Sequence, residues 1–146
     1  MPLSKPILLV DDSEDDVFFM QRALKSADIS NPVFVAEDGL KAVDYLSGAG
    51  QFTDRTAFPL PGLIFLDLKM PGKIGLEVLA WLRQQEHLRS IVVVILTSSQ
   101  EPSDLRDAYR LGANSFLVKP STTERLRELV QSVKSYWLEF NLFDSM

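Results

Sequence analysis

Five short apolar runs, each followed by polar residues and separated from the next by a segment of helical period, constrain this chain more than any other feature. They are Ile7-Leu8-Leu9-Val10, Val33-Phe34-Val35-Ala36, Leu63-Ile64-Phe65-Leu66, Val92 to Leu96, and Ser115-Phe116-Leu117-Val118. Such alternation is the pattern of βα units and a parallel sheet. It predicts strands at Pro6–Val10, Val33–Ala36, Leu63–Asp67, Val92–Leu96 and Ser115–Val118. The intervening helices are expected at Glu14–Ala27 with Ser13 as N-cap, Gly39–Ser47, Gly75–Gln85, and Ser103–Leu111 closed by Gly112. A last helix is expected from Thr122 to Phe140. The stretch Gly48–Gly62 reads as a loop of about fifteen residues, longer than most connections.

The chain has 146 residues, which suits a single domain spanning 1–146 with a full core. A net charge of −5 and the lack of any Lys/Arg-rich run argue against a nucleic-acid surface. Cysteine is absent, so disulfides, thiolate metal sites and cysteine catalysis are excluded. The lone histidine, His87, cannot build a zinc cluster and reads as a surface residue. No stretch has signal-peptide or membrane-helix character, so a cytoplasmic protein is expected.

Doubly wound sheets bind ligands beyond the carboxyl ends of their strands. The residues at those ends are Asp11-Asp12, Asp67, Thr97 and Lys119-Pro120. Each alone is ordinary, a turn or helix-cap residue. Together they bring three carboxylates, a hydroxyl and an ammonium to one sheet edge. Crowded carboxylates raise one another's pKa unless a cation compensates. Magnesium does so with hard oxygen ligands, commonly one or two carboxylates plus phosphate oxygens. A carboxylate can also accept a phosphoryl group, and a lysine can supply positive charge to the transferred oxygens.

This constellation resembles the receiver domain of two-component response regulators over nearly the whole chain. The resemblance rests on Leu8-Leu9-Val10-Asp11-Asp12, Asp67-Leu68-Lys69-Met70-Pro71 with Gly75, Thr97-Ser98-Ser99, Leu111-Gly112-Ala113, and Phe116-Leu117-Val118-Lys119-Pro120. It implies the flavodoxin-like (βα)5 three-layer sandwich with a five-stranded parallel sheet in order 2-1-3-4-5. It implies Asp67 as phosphoacceptor, and Mg2+ held by Asp12, by Asp11 largely through water, by Asp67 and by the Lys69 backbone carbonyl. It further implies Lys119 paired with the phosphoryl group, Thr97 and Phe116 as switch residues, and a cis peptide before Pro120. The donor would be a sensor histidine kinase. The protein itself would be no enzyme beyond self-directed phosphotransfer and autodephosphorylation. Two departures stand out. Lys69 puts a cation near the pocket mouth, and Phe116 lacks a tyrosine hydroxyl. The long Gly48–Gly62 loop, the run Glu86 to Ile91 and the aromatic tail resemble the stand-alone regulators of cyanobacterial phytochromes, so a phytochrome-type kinase is the expected partner.

Two surfaces are left for partners. Val17, Met20 and Leu24 share one face of the first helix, which leaves Phe19 turned outward as a kinase contact. In the last helix Leu126, Leu129, Val130, Val133, Trp137 and Phe140 form one stripe at helical spacing. Its far end should overhang the sheet, given a strand length of roughly 17–20 Å. Residues 136–146 are therefore expected to be an apolar extension. With Tyr136, Trp137, Phe140, Leu142 and Phe143 it would join the fourth helix and fifth strand in a homodimer contact. The rival readings are weaker. An aspartate-nucleophile phosphatase needs an acid two residues after its nucleophile, where this chain has Lys69. Gly72-Lys73 is followed by Ile74, so no P-loop is present. A receiver acting as a binding module without phosphorylation remains the alternative.

Overall fold

The computed structural model describes residues 4–70 and 74–143. Five strands, β1 (Ile7–Val10), β2 (Val33–Ala36), β3 (Leu63–Leu66), β4 (Val92–Thr97) and β5 (Ser115–Val118), form one sheet in the order β2-β1-β3-β4-β5. Every pairing is parallel, with Ile7 opposite both Val33 and Leu63, Leu63 opposite Val92, and Thr97 opposite Val118. The flavodoxin-like order expected from the sequence is the order observed. Helices α1 (Glu14–Ser26), α2 (Gly39–Ser47), α3 (Gly75–Gln84) and α4 (Pro102–Arg110) make the crossovers, and α5 (Thr123–Val133) follows the last strand.

Local chemistry sets the helix ends. The side chains of Ser13, Asp38 and Thr122 accept the backbone N–H groups of Asp16, Lys41 and Arg125, capping α1, α2 and α5. Gly48 closes α2 with φ of 73°, the left-handed conformation glycine adopts without penalty.

The sheet is covered on both faces. On one, Leu8, Val10, Ile64, Leu66, Val93 and Ile95 meet α2, α3 and Ala108 of α4. On the other, Ile7, Leu9, Leu63, Phe65, Val94 and Leu96 meet Met20 and Leu24 of α1 and Val130 and Val133 of α5. Alternate residues of each strand thus serve opposite cores, which is why the runs are apolar throughout. The long connection before β3 is not loose. A short 3-10 turn, Gly50–Phe52, places Phe52 with Phe58 against Tyr45 and Phe34, and Arg55 donates to the carbonyls of Leu46 and Phe58.

The last helix departs from expectation. Regular α-helix stops at Val133, and Lys134–Phe140 continues as a π-helix. The i→i+5 bonding of a π turn widens the spacing of equivalent positions. The buried residue after Val133 is accordingly Leu138, not Trp137. Phe140, expected on the same stripe, is 81% exposed. Trp137 and Phe143 are half-buried against the core beside α1 rather than clear of it. The expected overhang is therefore partly folded back, and Tyr136, Phe140 and Leu142 are the apolar side chains that face outward. His87 lies in a 3-10 turn after α3 and is exposed, as expected.

Candidate functional site

The parallel register brings four strand ends to one edge, and the sites expected there do converge. Asp67 N–H donates to the Val10 carbonyl at 3.0 Å, so the first residue beyond β3 stays beside the end of β1. Lys119 N–H donates to the Thr97 carbonyl at 2.8 Å, which continues the β4–β5 ladder past its last strand residue. Asp11, Asp12 and Asp67 offer carboxylate oxygens that all lie within 4.8 Å of one another. Asp67 is buried, Asp11 half-buried and Asp12 exposed. The triad thus has a fixed inner ligand and an open outer side, which suits a cation that keeps part of its water.

The Lys119 ammonium closes the inner side. Its Nζ lies 2.7 Å from Asp16 Oδ2, 2.8 Å from Asp11 Oδ2 and 3.1 Å from Asp67 Oδ2. Burial alone would depress its pKa. The bonds to Asp11 and Asp16 and the charge of Asp67 outweigh burial, and the ammonium is held more firmly protonated than a free lysine. Asp11 moves upward, because burial disfavours its charge by more than the Lys119 and Ser13 bonds favour it. Asp11, Asp16 and Asp67 contact one ammonium and Asp12 adjoins Asp11 and Asp67, so four carboxyl groups gather around a single cationic side chain. That excess, on hard oxygen donors, fits a divalent cation.

Asp16 was not among the residues singled out from the sequence. It sits in the first turn of α1, away from any strand end, where an acidic residue is ordinary. The Ser13 cap fixes the start of α1 and so the turn on which Asp16 sits, but not the direction of its side chain.

Asp67 Oδ1 accepts from the Lys69 backbone N–H at 3.2 Å, while Oδ2 accepts from Lys119. The acceptor loop is also pinned from behind. A Cβ on Gly75 would stand 2.3 Å from the Asp67 carbonyl oxygen and 2.8 Å from Leu68 Cα, so only glycine allows α3 to start this close. The Lys69 side chain does not reach into the triad. Its Nζ pairs with Asp104 Oδ2 of α4 at 3.1 Å, and the same oxygen accepts from Ser99 Oγ at 2.5 Å. The Ser99 bond, with Lys69 adding to it, holds Asp104 below the usual carboxylate range. Thr97 is fully buried, and its Oγ1 accepts from Ser99 N–H at 3.3 Å. Phe116 is half-buried and packs on the core beside α4. The peptide bond before Pro120 is trans, as no described residue has a cis bond. That corrects the expected cis form; trans is the favoured X-Pro isomer by about 0.5–1 kcal/mol. Pro71 of the acceptor motif, and Gly72 and Lys73, lie outside the described residues.

A cavity of about 270 Å³ opens beside the triad between α1 and the start of α5. Leu9, Val17, Met20, Phe65 and Leu126 line it, with Phe19, Asp16 and Lys119 also on its wall. Phe19 is exposed, as its phase on α1 predicts, and stacks edge-on against exposed Phe18.

The model of the response regulator receiver domain matches residues 7–131. The response regulator Rcp1 of Synechocystis sp. is 39% identical over 135 residues, covering 92% of this chain and 90% of Rcp1. A crystal structure of the Mn2+-bound form of response regulator Rcp1 superposes with a TM-score of 0.87, 36% identity, and coverage of 98% of this chain and 100% of that one. The phosphorylated cyanobacterial phytochrome response regulator RcpA gives a TM-score of 0.89 at 32% identity, over 97% of this chain and 99% of that one. The bacteriophytochrome response regulator AtBRR gives 0.76 at 40% identity, over 97% and 100%. With the triad, the lysine and the sheet order already in place, these likenesses make the chain a member of the response regulator receiver domain family.

Proposed function

We propose that this receiver takes a phosphoryl group from a histidine kinase onto Asp67. The observation that carries the reading is the position of Asp67, with one carboxylate oxygen toward Lys119 and both neighbours, Asp11 and Asp12, within metal-bridging range. In the transfer, an Asp67 oxygen attacks phosphorus, the P–N bond of the donor phosphohistidine breaks, and the imidazole leaves with the electron pair and is protonated. Lys119 places positive charge beside the transferred oxygens. Mg2+, held by Asp11, Asp12, Asp67 and the Lys69 carbonyl, would neutralise the same oxygens. Ser99 bonds both Thr97 and Asp104, which ties the Thr97 hydroxyl to α4. Movement of Thr97 toward a phosphoryl group, with a rotamer change of Phe116, would therefore be felt at α4.

The kinase we propose is of the phytochrome type, on the strength of the likeness to RcpA and AtBRR. Phe18 and Phe19, exposed on α1 beside the site, form the docking contact in this reading. Residues 1–146 would act as one cytoplasmic receiver, and no described helix is long and apolar enough to cross a membrane. The exposed apolar side chains on α4, β5 and the π-helix suit a second copy of the chain, and the catalytic repertoire would be limited to self-directed phosphotransfer and hydrolysis of the aspartyl phosphate.

The test is mass spectrometry after incubation with acetyl phosphate and Mg2+. A single phosphoryl mass increment is expected, absent from Asp67→Asn and from samples stripped of divalent cation. No increment with any donor would favour a binding module that works without phosphorylation.

A further inference from the structure

We infer that Asp16 is a positioning residue that competes with the cation triad for the Lys119 ammonium and draws it to the α1 side when a cation takes up the triad oxygens, leaving it within reach of Asp67. The inference rests on the receiver reading of the site. An ammonium has three N–H donors, and here all three have carboxylate partners, Asp11, Asp16 and Asp67. Two of those partners, Asp11 and Asp67, are also members of the triad that would hold the cation. A divalent cation in the triad draws on the same oxygens and repels the ammonium. Asp16 is the partner of Lys119 that the triad does not share, and it is also the shortest of the three contacts at 2.7 Å.

The geometry gives Asp16 the means to hold this position. Its backbone N–H is tied to the Ser13 cap at 3.3 Å, so the carboxylate projects from an anchored helix turn. Its side chain is 45% exposed, against 17% for Lys119, so the carboxylate stands at the solvent side of the ammonium. The Lys119 side chain borders the cavity beside α1 and has room to swing. Without Asp16, the carboxylates left to it are those of the triad, and it would compete there with the cation.

The experiment measures Mn2+ affinity, from the loss of the free-ion EPR signal, for the wild type, Asp16→Asn, Asp16→Glu, Lys119→Ala, and the Asp16→Asn/Lys119→Ala double variant. No phosphodonor is present. Asp16→Asn is expected to weaken Mn2+ binding about fivefold, within the usual range of coupled neighbours. Asp16→Glu, which can still reach the ammonium, is expected to recover most of that loss. In the Lys119→Ala background, adding Asp16→Asn is expected to change little, because the ammonium through which Asp16 acts is gone. An equal weakening in both backgrounds would mean that Asp16 acts only as bulk negative charge, and it overturns the inference. Unchanged affinity in Asp16→Asn overturns it as well. A wild type that binds no Mn2+ overturns the receiver reading of the triad and this inference with it. Initial phosphorylation rates from acetyl phosphate give a second readout. Asp16→Asn should be slow at low Mg2+ and approach the wild type at saturating Mg2+, whereas a folding defect would depress the rate at both.

Discussion

At the scale of single residues, the site depends on close approach as much as on charge. Gly75 lies against the acceptor loop so tightly that an added methyl overlaps the Asp67 carbonyl. Gly75→Ala is therefore expected to push the β3–α3 loop outward, cost about 1–3 kcal/mol of stability, and slow phosphorylation of Asp67. Urea unfolding and the acetyl phosphate assay measure the two effects. Tyr45 shows the same economy away from the site. Its hydroxyl donates to the Pro59 carbonyl at 2.8 Å, inside the aromatic cluster under the long loop. Burial pushes its phenol up to about 12, against an opposing pull from the Arg55 charge. A folded pKa above the unfolded value of 10.0 means that the protonated phenol favours the fold. That contribution is complete below pH ~10 and is lost as pH rises toward ~12. Tyr45→Phe should cost about 1 kcal/mol at neutral pH, and the gap from wild type should narrow across that alkaline window in urea midpoints. The strand-end residues were legible because a parallel sheet gives its carboxyl ends one address. Asp16 was not, because the address of a helical side chain depends on how the helix lies over the sheet. The Ser13 cap alone does not specify that.

Elements are joined here by a few polar contacts that periodicity does not reveal. Arg83, in the last turn of α3, donates to the carbonyls of Gly112, Arg89 and Ile91 and to Asn114 Oδ1, at 2.8–3.0 Å. Asn114 Oδ1 also accepts from Val93 N–H, so a single guanidinium ties α3, the entry to β4 and the turn before β5. Burial lowers its pKa, but the planar fork of donors is what the contact needs. Arg83→Lys keeps the charge and loses the fork, and it should destabilise the domain by about 2–3 kcal/mol. Thermal unfolding checks this, and a shift no larger than that of an exposed-site control sinks it. From the sequence, Arg83 is one more polar residue on an amphipathic helix, and its partners lie on segments 6 to 31 positions away. The π segment after α5 was hidden for a related reason. The stripe from Leu126 to Phe140 satisfies an α-helical period as written. The wider turn goes with packing that buries Leu138 in the core beside α1.

For the molecule as a whole, the parallel sheet and its two-sided core follow from five continuous apolar runs, while the strand order is what the family resemblance implied. Association with other copies depends instead on which apolar side chains are left over. Those on the α4–β5–π face are Leu105, Tyr109, Val118, Tyr136, Phe140 and Leu142, all exposed. The π-helix decides part of this set, because it turns Leu138 inward and leaves Phe140 and Tyr136 facing out. Exposed apolar side chains gathered into one patch are what a protein–protein interface requires. Aromatic side chains are the ones that dominate interface energetics. A homodimer through this face is therefore expected in sedimentation equilibrium at tens of micromolar. Phe140→Ser combined with Tyr136→Ser should shift the population to monomer. These side chains are 81% and 60% exposed in the single chain, so their loss should leave the unfolding of the monomer nearly unchanged. Trp137→Ala is the contrasting control. Trp137 rests on the core, so its loss should lower stability as well. A wild type that sediments as a strict monomer at tens of micromolar, phosphorylated or not, would overturn the homodimer. A dimer that survives the double serine variant would place the contact elsewhere, with the Phe18–Phe19 pair on α1 the next surface to test.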